Sequence, residues 1–391
     1  MIKKIQQDFS YYSHEFKDNY RKGVHRLRTI LASRAQAQAF VSNAGGTAVV
    51  LGYEPSAPDK NAQELYALLA ASPYIDDAVQ TFLGSIYEAG AESQDAMYSD
   101  SARCLEILHD PVMARAAGAG AVSAGKWIAT LAGQSCNLYR DMNAVAASDI
   151  AMTAVAASET AMTAVIAGTI ALNAVAASKT AMTAVAANET AMAAVAASRV
   201  AMSAIIGNST ALNAVVTSSV AMTAVINNAA ALNAVVSSST AMAAIASSQT
   251  AMAAIIANST ALNAVVSSSA AMSAVAASQT AMAAIAASST ARTAITNSAT
   301  AKNALASSPL KTTVTKGNGN GWENRTIRNG MGYLISCYNA NSGGESGSTW
   351  YKLDGAQTSQ PAGTTNVGKF FTSSLAIYWW SSTSSVTYIP C

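Results

Sequence analysis

The sequence predicts a fibrous, multi-part chain: a mainly helical N-terminal domain, an alanine-rich shaft of short interrupted helices, and a small β tip. Three observations carry this reading. A ten-residue period runs from Asp141 to Leu310, seventeen times over. The residues before it hold most of the acids and over half of the bases, as an ordinary folded domain would. The residues after it are crowded with aromatics and turn formers.

The period comes first because it fixes the domain boundaries. Written in tens, the chain reads DMNAVAASDI, AMTAVAASET, AMTAVIAGTI, ALNAVAASKT and so on to AKNALASSPL. Position 2 is Met or Leu except in the last two decads, where Arg292 and Lys302 stand. Position 5 is Val, Ile or, once, Leu305, and position 8 is always Ser, Asn or Gly. Ala and Met favour helix, and apolar positions 1, 2, 4 and 5 share one side of a short helix. Met at 2 and Val at 5 have opposite parity, so a strand fits poorly. Ten residues at about 100° each fall about 80° short of three turns. A continuous helix could hold its stripe on one side only through a supercoil of roughly 70 Å pitch, against the usual 140–210 Å. Ordinary coiled coil is therefore disfavoured. Ser, Asn and Gly suit caps and turns, so each decad is expected to be a helix from position 9 through about 7, broken at 8. Where position 6 is Ile (Ile166, Ile206, Ile226, Ile256), the next decad begins Ala-Leu-Asn, as if the two must fit together. Such short helices need neighbouring repeats or neighbouring chains.

Residues 1–140 are expected to form a helical attachment domain. Ser72-Pro73 and Asp110-Pro111 read as caps followed by first turns. Asn61 to Ala71 and Ser101 to Leu108 read as helical, and Ala48 to Tyr53 (AVVLGY) as a strand. Residues 311–321, containing Lys316-Gly-Asn-Gly-Asn-Gly321, are expected to be a flexible hinge.

Residues 322–391 are expected to be a β-rich tip domain. The segments GYLISCY, TWYKLDG, KFFTSSLAIYWW and SVTYIPC read as strands between the turn signals of Asn339–Gly344 and Asp354-Gly355. Trp379-Trp380 and Trp350-Tyr351 are adjacent pairs, so a strand sends each pair to opposite faces. At least one of each is then exposed or at an interface. Rings flanked by Ser, Thr and Asn suit sugar faces. Trp322, Trp350, Tyr351, Tyr378, Trp379 and Trp380 are therefore the candidate receptor or sugar contacts. The competing reading gives these rings to a small core or an oligomer seam.

The composition argues against other classes. Charged residues make up 11% of the chain, against about 25% in soluble domains, and the net charge is +2. Nothing there calls for a nucleic-acid partner. The apolar stretch from Ala114 to Gly133 is broken by Arg115 and Lys126, so no membrane insertion is expected. The start, MIKKIQQDFSYYSHEF, has no apolar run behind its lysines, so no signal peptide is expected. Cys104, Cys136, Cys337 and Cys391 form no CxxC, and with His14, His25 and His109 they make no zinc set. Cys337 and Cys391 are either a disulfide pair in an oxidising exterior or free thiols. The Gly317–Gly321 run lacks the Lys-Ser/Thr of a phosphate loop. The acids Glu323, Glu345 and Asp354 read as turn residues rather than a glycosidase pair. The chain is expected not to be an enzyme and to use no cofactor.

The decad A-[ML]-x-A-V-x-x-S-x-T, in long array and followed by a compact aromatic β tip, resembles the repeats of bacteriophage fibre proteins of tail, neck or head. The resemblance covers about 170 residues and the three-part layout. It implies a virion structural protein, made in the host cytoplasm and assembled as a homotrimer. Residues 1–140 would dock to other virion proteins, and the tip would meet a host-surface glycan or protein. A purely structural neck or head fibre, whose tip trimerises or docks to another virion protein, is the alternative. A bacterial surface adhesin is a further one.

Overall fold

One extended residue per decad organises the repeat region. In a computed structural model, which describes residues 2–17, 20–53, 59–87, 93–341 and 349–391, the chain is mostly helical with a small antiparallel β region at its C-terminal end. It divides into two compact units, Met1–Ala214 and Val215–Cys391.

Within the decads, helices run Asp149–Ala157, Glu159–Ala167, Thr169–Ala177 and onward, from position 9 through position 7. The break is the single residue at position 8. Ser158, with φ −104° and ψ 112°, is extended and serves both helices at once. Its N–H closes the preceding helix on the Val155 carbonyl, 3.1 Å away. Its hydroxyl oxygen accepts from Ala161 N at 3.2 Å, capping the next helix. Asn188, Asn228 and Asn258 cap in the same way through Oδ1.

Each break turns the chain sharply: 100° at Ser158 and 96° at Ser178 in the first unit, 94° at Ser238 and 98° at Ser278 in the second. A turn of about 100° restores the heading after between three and four helices. The packing follows from that. Asp149–Ala157 lies on Lys179–Ala187, three decads on, and touches Glu189–Ala197, four on. In the second unit Ser239–Ser247 meets Ser269–Ala277 and Gln279–Ala287 in the same relation. The repeats therefore bury their apolar stripe against other repeats of the same chain.

The buried columns are positions 1, 2, 5 and 6, not 1, 2, 4 and 5 as expected. At 100° per residue, 1, 2, 5 and 6 span an arc of about 140°, whereas position 4 falls well outside it. Met152, Val155, Met272 and Val275 are fully buried, each such side chain contributing roughly 1.5–3 kcal/mol of transfer free energy. Before the last decad, position 6 holds Ala or Val tightly. The larger Ile166, Ile206 and Ile256 remain half-buried, and Ile226 goes under.

A second bond crosses between turns of the stack. The hydroxyls of Ser178, Ser248, Ser268, Ser278, Ser298 and Ser308 donate to the carbonyls of Ala146, Val216, Val236, Ala246, Val266 and Ala276, at 2.5–3.0 Å. Each partner lies 32 residues earlier, at position 6 of the decad three before. Those carbonyls sit at helix C-termini, where no intrahelical donor reaches them.

In each unit other groups close one end of the ladder. Before the first decad the described α-helices are α1 (Ile2–Lys17), α2 (Tyr20–Ala32), α3 (Arg34–Val41), α4 (Ala44–Leu51), α5 (Lys60–Ala70), α6 (Ile75–Ile86), α7 (Gln94–Tyr98), α8 (Ser101–His109), α9 (Pro111–Ala117) and α10 (Ala121–Leu131). α10 stands where a preceding decad would: Ser158 Oγ donates to Leu131 O at 3.1 Å. A Cβ on Gly125 would lie 2.4 Å from Asp141 C and Met142 N, so only glycine lets the first decad seat on α10. In the second unit, the carbonyls of Ala286 and Ala306 have no later decad to serve them. Arg292 Nη1 donates to the first and Lys311 Nζ to the second, at 3.0 Å in the latter case. Arg292 thus replaces Met where the stack stops. Lys302, its counterpart one decad on, is exposed.

The N-terminal caps behave largely as read. Asp110 accepts from Val112 N and Met113 N, with Pro111 in the first helical turn. α5 and α8 match the expected helices. α6 begins at Ile75, two residues beyond Pro73. Ala48–Tyr53 is not a strand. Its Val49, Val50 and Leu51 are buried within α4, which Asn43 caps through Gly46 N; a short apolar run buried all round has no periodicity to separate strand from helix.

Ser308-Pro309 forms a turn, with Ser308 Oγ accepting from Leu310 N at 3.0 Å. Among the described residues eight strands follow: β1 (Thr312–Thr315), β2 (Glu323–Asn329), β3 (Gly332–Asn339), β4 (Trp350–Leu353), β5 (Ala356–Ser359), β6 (Gly363–Phe371), β7 (Ser374–Trp379) and β8 (Ser385–Pro390). They make two antiparallel sheets, β1-β8-β3-β6 and β2-β7-β4-β5. Leu334, Cys337, Tyr351, Phe371, Leu375, Ile377, Trp379 and Val386 are buried in the core of this β region. KFFTSSLAIYWW is two strands, β6 and β7, parted at Thr372-Ser373. The expected hinge at 311–321 instead carries β1, and its backbone is tied to the β7–β8 loop by Lys316 N to Ser384 O and Gly317 N to Ser382 O. Its glycines serve left-handed backbone, with φ of 73° at Gly317 and 75° at Gly319, rather than slack.

Candidate functional site

The aromatic residues of the β domain are sorted by strand parity. Along β7, Leu375, Ile377 and Trp379 point inward, so Ala376 and Tyr378 point outward. Register then places Trp350 of β4 and Asn324 of β2 opposite Tyr378. Trp322 lies just before β2 and Trp380 just after β7.

Four of the six candidate residues come together on this outer face. Trp322 stacks on Tyr378 with ring centroids 4.8 Å apart and planes 9° apart. Trp350 stacks on the opposite side of Tyr378, at 5.2 Å and 18°. Trp380 meets Trp322 at 5.4 Å and 61°. At the far end of the row Lys352 Nζ lies 4.5 Å from the Trp350 ring centroid. Trp322 is 37% exposed, and Trp350, Tyr378 and Trp380 are half-buried.

The other two candidates are not contacts. Tyr351 and Trp379 point into the core, 5% and 0% exposed. Adjacency in a strand forces one residue of each pair inward, and the sequence does not say which. Cys337 and Cys391 are not a disulfide. Cys337 is paired with Val386 on β8, while Cys391 lies beyond Pro390, opposite Met331. Five residues of extended chain separate Val386 from Cys391, about 16 Å, far past disulfide reach. Burial pushes both thiols up to about 12.

The row sits among hydroxyls and amides. Asn324 and Thr326 of β2 flank it on one side, and Gln357 and Ser359 of β5, opposite Lys352 and Trp350, on the other. The sequence signal for Lys352, Gln357 and Asn324 was their alternation with the aromatics, legible only once strand neighbours are known. Trp350, Tyr378, Trp322 and Trp380 all lie at the strand ends that share the β3–β4 and β7–β8 loops. The opposite end of the domain meets the last decads, where Gln279 Nε2 donates to Pro390 O at 3.0 Å and the Lys302 side chain lies against Gly368. The aromatic row therefore occupies the end remote from the repeats of the second unit.

Asp354 has a different task from the row. At φ 52° in the β4–β5 turn, it accepts from Thr372 N, Ser373 N, Ser374 N and both neighbouring hydroxyls at 2.6–3.1 Å. Partial burial alone would raise its carboxyl pKa. The bonds from Ser373, Thr372 and Ser374 outweigh that and hold it far below the ordinary carboxylate range. Glu323 is half-buried at the start of β2; Glu345 lies outside the described residues. Cys104, five residues before His109 on α8, is buried and directs its sulfur at Tyr98 O, 3.4 Å away. Among the described residues no group of three or more His, Cys, Asp or Glu lies close enough to hold a metal ion.

Compared with known protein families and with curated proteins, the chain matches none.

Proposed function

We propose that this chain is a structural fibre protein of a virion whose C-terminal domain attaches the particle to a host surface. The observation that carries the proposal is the partly exposed row of Trp322, Tyr378, Trp350 and Trp380 at the end of the β domain remote from the repeats. A row of large rings left in water is costly unless something covers it. The decads supply what a fibre needs, a stack that lengthens by whole units without new kinds of contact. Residues 1–140 close that stack at one end and would dock to other virion proteins.

Binding of the full chain to a panel of bacterial cells tests this. Attachment to a subset, lost in Trp322→Ala and Trp350→Ala variants that keep their near-ultraviolet circular dichroism, supports it. Absence of attachment by the folded chain to every cell type tested would count against it.

A second reading is a purely structural neck or head fibre whose C-terminal domain docks to another virion protein. It is favoured by one detail: the ring faces of Trp322, Tyr378 and Trp350 are largely spent on one another. Capture of a virion protein, rather than of cells, by the same surface would select it.

A further inference from the structure

We infer that the outer face of the β2-β7-β4-β5 sheet recognises an acidic polysaccharide, a deduction that rests on reading the C-terminal domain as the attachment end. The ring geometry narrows the ligand class. Because Trp322, Tyr378 and Trp350 stack nearly parallel at 4.8 and 5.2 Å, their faces are turned to each other and their edges form the surface. An aromatic face is electron-rich, but its edge is electropositive. The row thus offers a line of weakly positive ring edges rather than flat platforms for apolar sugar faces.

Among the described residues that register places beside the row, the charged and polar side chains fit an oxygen-rich, anionic chain. Lys352 ends the row with its ammonium lodged over Trp350. The register places the amides of Asn324 and Gln357 and the hydroxyls of Thr326 and Ser359 around the rings. No carboxylate shares this face among the residues that register assigns to it; Glu323 pairs with the inward Trp379. An extended polyanion of sugar carboxylates meets the edges, the amide donors and Lys352 along one line.

Affinity electrophoresis of the full chain through gels containing polygalacturonate or dextran tests the inference. Polygalacturonate should retard the protein and dextran should not. Lys352→Ala should weaken retardation about tenfold, the order expected for loss of a charge-assisted contact, and Trp322→Ala should weaken it as well. Lys369→Ala, on the other sheet, should leave it unchanged and controls for net charge. Equal retardation by dextran, loss of binding in Lys369→Ala, or no retardation by polygalacturonate would overturn the inference. If cells are still bound through Trp322 while polygalacturonate is not, the ligand class fails and the attachment reading stands. If neither is bound, both fail.

Discussion

The hydroxyl of Ser268 donates to the carbonyl of Val236, 3.0 Å away and 32 residues earlier, while its oxygen accepts from Ala271 N at 3.2 Å. One side chain thereby caps its own helix at the N-terminus and another helix at the C-terminus, three decads back. The near-invariance of position 8 has two causes at once: the backbone must be extended there, and two helix ends need a small polar group.

Ser268→Ala removes both bonds and leaves the Val236 carbonyl without its donor. The expected loss is about 1–2 kcal/mol. Ser268→Asn, which restores the cap used at Asn228 and Asn258, should lose less. Urea unfolding of the two variants and the parent checks the order.

Position 2 lies inside the stack. Met272 is fully buried, so Met272→Ala should cost roughly 2–5 kcal/mol by leaving a cavity. Met272→Leu should cost under about 1.5 kcal/mol, because Leu172, Leu232 and Leu262 already occupy that column. Thermal unfolding followed at 222 nm separates the two.

How much of this was legible in the sequence depended on whether a position answers to local or to distant chemistry. The break at position 8 and the helix from 9 to 7 were readable, because caps and propensity act within one turn. That position 6 is buried and position 4 is not came from the stack three decads away. The exchange of Met for Arg292 was visible as an anomaly, and its reason, the unserved Ala286 carbonyl, was not. In the β domain, parity split Trp379 from Trp380 in advance. Which of them faced the core required the partner strands. The glycines of 317–321 read as slack, yet their left-handed φ values are what bound turns demand.

Gly125→Ala should destabilise the first unit strongly, since a Cβ would lie 2.4 Å from the backbone of Asp141 and Met142. Backbone, unlike a side-chain tip, cannot give way cheaply. Hydrogen exchange should show faster opening of the first decads than in the parent; unchanged protection there would contradict this seating.

Asp354 predicts an acid limb. Its carboxyl titrates lower in the folded than in the unfolded chain, so its stabilisation is complete above the unfolded value of about 3.9 and fades as pH falls toward the folded one. Asp354→Ala should lower the melting temperature at pH 7, and the difference from the parent should shrink between about pH 4 and pH 2. Because the carboxylate is largely exposed, the effect should be modest. A gap that stays constant on acidification would exclude this role.

Within each unit the repeats bury their apolar columns against decads of the same chain three and four away. Melting of the helical signal over a hundredfold range of protein concentration tests it most directly. A strongly helical spectrum and an unchanged midpoint across the range are expected. A midpoint that falls on dilution, with helix lost at the lowest concentration, would show that the columns are buried between chains and would contradict it.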